Sequence, residues 1–266
     1  MSTKKNISIL LFLIYFITGC DQVDVINPEI TFKENVVVRS ELIANRKFGG
    51  ISFTKTLPLE ESYDISEAEL KDVEVYIKVD NIQVIPLHYQ SNGIYNSLYE
   101  FSIKPGSTYE LFAKYNDENI YSITKVPVIP VVQNVMFSDG NYLQGDVTTE
   151  PDIVFGAAWV YSTGTVGNYI QASDFYSIVE NVANSSSVSV RTQIVPQEFR
   201  NPAVRSFLYL QPYAFDKAYL SYFKTKANGK PVEDSFIHGG DGISWNVQGK
   251  NAIGLFIGYS IGELKQ

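Results

Sequence analysis

The chain has a single cysteine, Cys20, among its 266 residues, and this scarcity excludes several kinds of site. One cysteine cannot form an intrachain disulfide, and it cannot supply the thiolate clusters of structural zinc sites. Histidine is also rare, and the two present are His88 and His238. Zinc binding and the activation of a nucleophile both need histidine in company with other groups. We therefore expect neither a metal nor a cofactor.

Positive charge is in short supply as well. The chain has 21 Lys and Arg against 29 Asp and Glu, which gives a net charge of −8 and a pI near 4.9. Nucleic-acid binding needs clustered Lys and Arg that displace counterions, so we expect no nucleic-acid partner. The same balance argues against adhesion of the folded body to an anionic lipid surface.

Long apolar runs are missing too. The apolar run from Ile7 to Ile17 is about half the ~20 residues that span a bilayer, and no later segment is apolar for ~18 residues. Lys4-Lys5 precedes this run and Thr18-Gly19-Cys20 follows it. A cationic start, a short apolar core and small residues before a cysteine predict a bacterial lipoprotein signal peptide over residues 1–19.

The predicted modification is lipid attachment at Cys20 after cleavage before it. Acyl chains contribute about 0.8 kcal/mol per buried CH2, so several of them would hold the mature protein on a membrane without a transmembrane helix. The alternatives are an ordinary secretory signal with a chance cysteine, or a small buried thiol.

The residues after the signal predict a mainly β protein. The composition is 45% hydrophobic and 19% charged, which is typical of a packed globular body. The 18 Tyr and 16 Phe favour strands. Residues 20–29 form a predicted tether, and strands about ten residues apart follow over 30–130. Their number and spacing favour an immunoglobulin-like or transthyretin-like β-sandwich.

The alternation in one segment illustrates this pattern. Val73, Val75, Ile77 and Val79 alternate with polar residues, which predicts a strand with one buried face. Asn92-Gly93 and Lys104-Pro105-Gly106 have the residue types of tight turns between strands. The acid- and alanine-rich stretch over residues 60–71 is expected to hold a brief helical turn or a loop.

A domain boundary is predicted at Val126-Pro127-Val128-Ile129-Pro130, because two prolines favour a stiff, extended connector. Residues 131–266 then form a β-rich C-terminal region with one amphipathic helix at about 213–227. Pro212 suits the first turn of that helix, and Asn228-Gly229 suits its end. Apolar side chains at helical spacing give the helix one buried face, namely Phe215, Ala218, Tyr219, Tyr222 and Phe223.

Several short motifs carry no convincing chemistry. Ser52 and Ser221 each begin an S-x-x-K pattern, but one lies in a predicted strand, the other in mid-helix, and the companion elements of serine acylases are absent. The segment around Asp139 lacks the closing glutamate of a calcium loop. Asp241 follows His238 in a glycine-rich stretch that favours a turn over a catalytic site.

Aromatic residues are the remaining candidates for a binding site. Such side chains stack on sugars or cap protein interfaces when they are exposed, and they fill the core when they are buried. The candidates for ligand binding are Trp159, Tyr161, Tyr169 and Tyr176. Phe175 lies in the same aromatic stretch.

Several segments, in order, resemble a family of lipoproteins of unknown function from Bacteroidota that are encoded beside TonB-dependent outer-membrane receptors. The matching segments are Thr18-Gly19-Cys20, Val36-Val37-Val38, residues 52–59, residues 73–77, Gly93-Ile94-Tyr95, residues 104–111, Val126-Pro127, residues 219–223 and residues 246–256. Lys250-Asn251 departs from the glycines that members often carry there. The resemblance implies an accessory lipoprotein of an uptake system, anchored on the outer membrane, with a TonB-dependent receptor as partner and no catalytic motif.

Three hypotheses about function remain open from the sequence. The first is a non-catalytic binding or accessory protein of an uptake system. The second is a surface hydrolase of glycans or peptides, in which two carboxylates ~5–9 Å apart would cleave a glycosidic bond. The third is a structural or adhesive surface protein. A cavity with two facing carboxylates would favour the hydrolase, and aromatic patches without a cavity would favour the third hypothesis.

Overall fold

The computed structural model describes residues 32–58, 60–148, 150–165, 167–172, 174–180, 185–224, 226–227, 230–231 and 244–266. Strands dominate these residues, so the predicted mainly β fold class is confirmed. The immunoglobulin-like or transthyretin-like sandwich stays a prediction. The signal peptide, the tether with Cys20, and His238 lie outside the described residues.

The elements are numbered here in chain order. The strands are β1 Val36–Ile43, β2 Ile51–Lys55, β3 Glu74–Val79, β4 Gln83–Ser91, β5 Ile94–Asn96, β6 Thr108–Tyr115, β7 Glu118–Lys125, β8 Val132–Phe137, β9 Leu143–Thr148, β10 Ile153–Ser162, β11 Tyr169–Gln171, β12 Val179–Glu180, β13 Ser187–Arg191, β14 Leu208–Asp216, β15 Lys226–Ala227, β16 Lys230–Pro231 and β17 Ala252–Ile261. The helices are α1 Ile65–Ala68, α2 Pro202–Arg205 and α3 Ala218–Lys224, with a 3-10 turn at Gln197–Phe199.

One large sheet contains most of the strands. Its order is β11-β10-β14-β17-β1-β2-β5-β4-β3-β6-β7, and β12 pairs with β10. The last strand, β17, lies between β14 and β1 and runs parallel to β1, whereas its pairing with β14 is antiparallel. The strands β13, β9 and β8 form a smaller sheet, and β15 pairs with β16. The chain's last strand therefore joins its first strand to a strand from the second half of the sequence.

Strand β7, at one end of the large sheet, contacts β17 and the residues just before it. The backbones of Tyr121 in β7 and Gln248 exchange two N–H···O hydrogen bonds, at 2.9 and 2.8 Å. The Gly258 N–H of β17 donates to Thr124 Oγ1 of β7 at 2.8 Å, and Ser122 Oγ donates to the Asn246 carbonyl at 2.8 Å. These contacts cover an edge strand that would otherwise offer unpaired backbone groups.

The described residues form three hydrophobic clusters, and the two largest divide near residue 130 of the sequence. The first collects buried side chains from residues 36–126 together with Val247, Ala252 and Phe256, and the second collects them from residues 132–214. Residues 34–266 nevertheless form one compact unit. The predicted boundary at residues 126–130 between two domains stays a prediction.

The predicted helix at 213–227 is corrected by the structure at both of its ends. Residues 213–216 complete strand β14, and the helix α3 spans Ala218–Lys224. Pro212 lies within the strand opposite Ala157 of β10, not in a first helical turn. The same residues also fit the alternation of a strand, which competes with the helical spacing. Ala214 packs in the second core, while Tyr213 and Phe215 lie on the opposite face of the strand. The brief helical turn expected between residues 60 and 71 is confirmed as α1, and Asp64 caps it.

Candidate ligand-binding cavity

A cavity of about 590 Å³ lies over the face of the large sheet that β1, β17, β14 and β10 share. This volume falls within the ~300–1,000 Å³ typical of small-molecule sites. Aromatic and aliphatic side chains dominate its lining. The lining residues are Val37, Val38, Arg39, Ser40, Glu41, Ala158, Gln171, Ala172, Phe175, Tyr213, Phe215, Tyr219, Tyr222, Trp245, Gly254, Leu255, Ile257 and Tyr259.

Strand alternation creates the floor of the cavity. In β1, Val38 and Leu42 are fully buried in the first core, whereas Arg39 and Glu41 alternate with them and line the cavity. In β17, Phe256 belongs to the first core and Tyr259 lines the cavity. Because β1 and β17 are parallel and in register, the cavity-facing residues of both strands lie side by side.

Stacked aromatic rings form the wall above this floor. The Phe215 ring stacks on the Tyr219 ring with 4.2 Å between centroids, and it lies 5.3 Å from the Tyr259 ring and 5.6 Å from the Phe175 ring. Tyr219 belongs to helix α3, so its contact with Phe215 holds the helix against β14. Aromatic pairs at such separations contribute about 0.5–1.5 kcal/mol beyond their buried area. The wall is therefore fixed by its own packing.

The position of Phe175 depends on a small residue beneath it. A Cβ atom on Gly156 of β10 would lie 2.9 Å from the Phe175 ring, closer than real contacts allow. The Gln193 side chain donates from Nε2 to the Phe175 carbonyl at 2.9 Å. Gly156 thus leaves the room that lets Phe175 close one side of the cavity.

Four tyrosines contribute hydroxyl groups to the lining of the cavity. Burial raises the pKa of Tyr219 to about 12, with the neighbouring Tyr222, Asp174 and Glu41 adding to the rise. Burial and the nearby Glu41 carboxylate raise the pKa of Tyr259 to about 12 as well. Both hydroxyls are therefore protonated at neutral pH and can donate hydrogen bonds.

The hydroxyls differ in what they contact. The Tyr259 hydroxyl donates to Glu41 Oε2 at 3.3 Å. The Tyr213 hydroxyl donates to Gln211 Oε1 at 3.1 Å and accepts a hydrogen bond from Gln171 Nε2. Burial raises the pKa of Tyr213 too. The Tyr213 hydroxyl thus has its hydrogen-bond partners within the protein, and Glu41 contributes a carboxylate to the lining.

The aromatic residues singled out in the sequence are separated by the structure. Trp159 is 6% exposed in the second core, and Tyr161 packs against Phe199 at 4.7 Å between ring centroids. Tyr169 is exposed on β11, and the Arg191 guanidinium carbon lies 3.6 Å from the centroid of the Tyr176 ring. Of the described lining residues, none is one of these four, although Phe175 from the same segment is. Ligand binding by the four stays a prediction.

Apart from Phe175, the sequence did not single out the residues that form the cavity. Phe215, Tyr219 and Tyr222 were placed on the buried face of a helix, with no site assigned to them. The available signal was in β17, where Leu255 and Ile257 are apolar on one face while Phe256 is apolar on the other. A strand with two apolar faces must be covered on both, so something had to pack over the face opposite the first core.

Two carboxylates among the described residues, Glu69 and Asp64, have lowered pKa values. The Glu69 carboxylate accepts from the Tyr89 hydroxyl at 2.5 Å and pairs with Lys71 at 2.9 Å, and these two contacts lower its pKa. The Ser66 backbone N–H likewise lowers the pKa of Asp64. A general acid needs a raised pKa, so neither residue supplies one. Nowhere in the described ranges do three or more His, Cys, Asp or Glu side chains form a group able to hold a metal ion.

The other motifs lie where the sequence placed them. Ser52 is in strand β2 and Ser221 is an exposed residue of α3, so neither stands at a helix start as serine–lysine chemistry requires. Asp139 follows Ser138, whose carbonyl accepts from the Asn141 N–H at 2.9 Å to close a turn. His88 is an exposed residue of β4.

Comparisons with known proteins add no further assignment. A scan against models of protein families finds no match, and a search of curated proteins finds none either. Of the helices that the structure describes, none combines the length and the apolar content needed to cross a membrane.

Proposed function

We propose that this chain is a non-catalytic binding protein, anchored by lipid at Cys20 to a bacterial outer membrane. It holds a small ligand in the aromatic cavity and assists a TonB-dependent receptor in uptake. The observation that carries the binding role is the cavity of about 590 Å³ with its wall of aromatic rings that pack against one another. The anchor and the receptor rest on the lipoprotein signal and on the resemblance to accessory lipoproteins.

The packing of the cavity supports binding without a large rearrangement. Phe215 is 6% exposed and contacts four other rings of the wall, so its position is set before any ligand arrives. Fixing such side chains in advance reduces the entropy that ordering them would cost on binding. Trp245, 39% exposed, and Tyr222 have ring centroids 6.3 Å apart and continue the wall toward solvent. A ligand with an apolar or aromatic portion fits this environment.

The same cavity disfavours the hydrolase hypothesis. Glycosidic cleavage uses two carboxyl groups that flank the scissile bond. Among the described lining residues, Glu41 is the one carboxylate. The structural or adhesive hypothesis called for aromatic patches without a cavity, so a defined cavity favours binding over it as well.

Filling the cavity should abolish binding of a neutral aromatic probe. Val37 lines the floor on β1, and replacing it with phenylalanine places a ring in the space that a ligand would occupy. We expect Val37→Phe to weaken the binding of N-phenyl-1-naphthylamine at least about tenfold, a loss of about 1.4 kcal/mol. Fluorescence titration of the purified protein measures this.

The matched control is Val84→Phe. Val84 lies in β4, is 58% exposed and is not among the residues that line the cavity, so this variant should bind the probe as the unaltered protein does. Thermal unfolding of both variants checks that they fold. Equal probe affinity in Val37→Phe and Val84→Phe, or no binding by the unaltered protein, contradicts the proposed binding site.

A further inference from the structure

Two opposite charges stand side by side at the cavity without pairing to each other. Arg39 and Glu41 are exposed residues of β1 that both line it. Positions i and i+2 of a strand are about 6.6–6.8 Å apart at Cα. In the described part of the chain, no ion pair within 4.0 Å involves either side chain. Both charges are thus available to a ligand.

Charged residues outside the lining also act on the tyrosine hydroxyls of the cavity. The positive charge of Arg46 opposes the rise in the pKa of Tyr213 and Tyr259, and the negative charge of Asp174 adds to the rise in the pKa of Tyr219. Together with Arg39 and Glu41 in the lining, charges of both signs therefore lie near the cavity. A ligand with a single charge is attracted by the groups of opposite sign and repelled by those of the same sign. A ligand that carries both charges can pair with groups of both signs.

We propose, building on the proposed function, that the cavity takes zwitterionic ligands of dipeptide size with apolar side chains and with both ends free. The ligand ammonium pairs with Glu41, whose Oε2 already accepts from the Tyr259 hydroxyl. The ligand carboxylate pairs with Arg39, whose planar guanidinium suits bidentate contact with a carboxylate. The apolar side chains enter the aromatic wall around Phe215.

Dimensions support a ligand of about two residues. An extended chain spans at most about 3.3–3.6 Å per residue, so the charged ends of a dipeptide lie up to about 7 Å apart. The Cα atoms of Arg39 and Glu41 are about 6.6–6.8 Å apart along β1, so side chains that extend from them in parallel present their charges at a comparable separation.

The test is isothermal titration calorimetry of the full mature protein with four forms of one probe. The probes are phenylalanyl-phenylalanine, its C-terminal amide, its N-acetyl derivative and its N-acetylated amide. We expect the form with both ends free to bind about 5- to 10-fold more tightly than either singly charged form. Arg39→Gln should remove the preference for a free carboxylate and leave the preference for a free amine. Glu41→Gln should do the reverse.

The outcomes separate this inference from the proposed function. Equal affinity for all four probes, each blocked by Val37→Phe, overturns the zwitterion assignment and leaves the binding cavity intact. Binding of N-phenyl-1-naphthylamine without binding of any peptide form does the same. Failure of every probe, including N-phenyl-1-naphthylamine, overturns the proposed function and this inference together.

Discussion

Replacing Gly254 with alanine is expected to lower the free energy of unfolding by about 3 kcal/mol or more. Gly254 lies in β17 with φ +135°, which L side chains rarely adopt, and a Cβ atom there would lie 1.9 Å from the Val38 carbonyl oxygen of β1. The backbones of β1 and β17 would have to separate, and their pairing forms the floor of the cavity. For a chain of this size the melting temperature should fall by roughly 6–12 °C in a circular dichroism melt.

Two other glycines provide matched controls for this prediction. A Cβ atom on Gly49 meets nothing within 4 Å, so Gly49→Ala should change the stability by less than about 0.5 kcal/mol. Gly164 has φ +81° but open space around it. Gly164→Ala therefore measures the loss of stability caused by a positive φ at alanine, without a steric clash. Equal melting temperatures for the Gly254 and Gly49 variants would show that the close approach of β1 and β17 is not as described.

Replacing Cys20 with serine is expected to move the protein from the membrane fraction to the soluble fraction. The predicted acylation needs the thiol, and serine cannot accept the lipid. Several acyl chains at about 0.8 kcal/mol per buried CH2 account for stable anchoring, so their loss should be close to all-or-none. Membrane fractionation with immunoblotting measures the change, and the intact mass of the unaltered mature protein should show lipid on an N-terminal cysteine.

Thr18→Ser serves as the control, because it keeps a small residue at that place in the signal and leaves Cys20 intact. Unchanged fractionation of Cys20→Ser would exclude the lipid anchor. The same preparation tests the partner, since tagged protein solubilised in mild detergent should bring down a TonB-dependent receptor. Repeated recovery of the protein alone would count against the receptor as partner.

Local alternation was enough to predict individual strands. Val75, Ile77 and Val79 are 6%, 0% and 6% exposed in β3, as the period of two over residues 73–79 predicted. A strand of this kind buries one face whatever its partners are, so its pattern depends on its own residues. The mainly β class followed from the repetition of such segments.

The strand β14 shows where local patterns compete. Residues 213–215 have side chains that fit a helix continuing to Phe223 and also a strand continuing from Leu208. The strand forms because β10 and β17 pair with it on both sides, from Leu208 to Asp216 on one side and from Tyr213 to Phe215 on the other. No local signal contains that pairing, so tertiary contacts decided the structure there.

The cavity depends on contacts between distant parts of the sequence. Glu41 of β1 lies beside Ile257 of β17 in a parallel register, and Tyr259 pairs with Phe215 of β14. Glu41 and Ile257 are separated by most of the chain, and Phe215 and Tyr259 by about 44 residues. Neither member of a pair lies in a motif that predicts the other. Aromatic abundance made a binding surface a hypothesis, but the positions of the rings followed from the sheet order.

The most direct test of the binding cavity uses the two tryptophans as internal reporters. Trp245 lines the cavity and Trp159 lies in the second core, so protein labelled with 5-fluorotryptophan should give two ¹⁹F resonances, assigned through Trp245→Phe. Titration with N-phenyl-1-naphthylamine is expected to shift the Trp245 resonance to saturation and leave the Trp159 resonance in place. A Trp245 resonance that does not move at saturating probe, or one that moves no more than that of Trp159, would contradict a ligand site in this cavity.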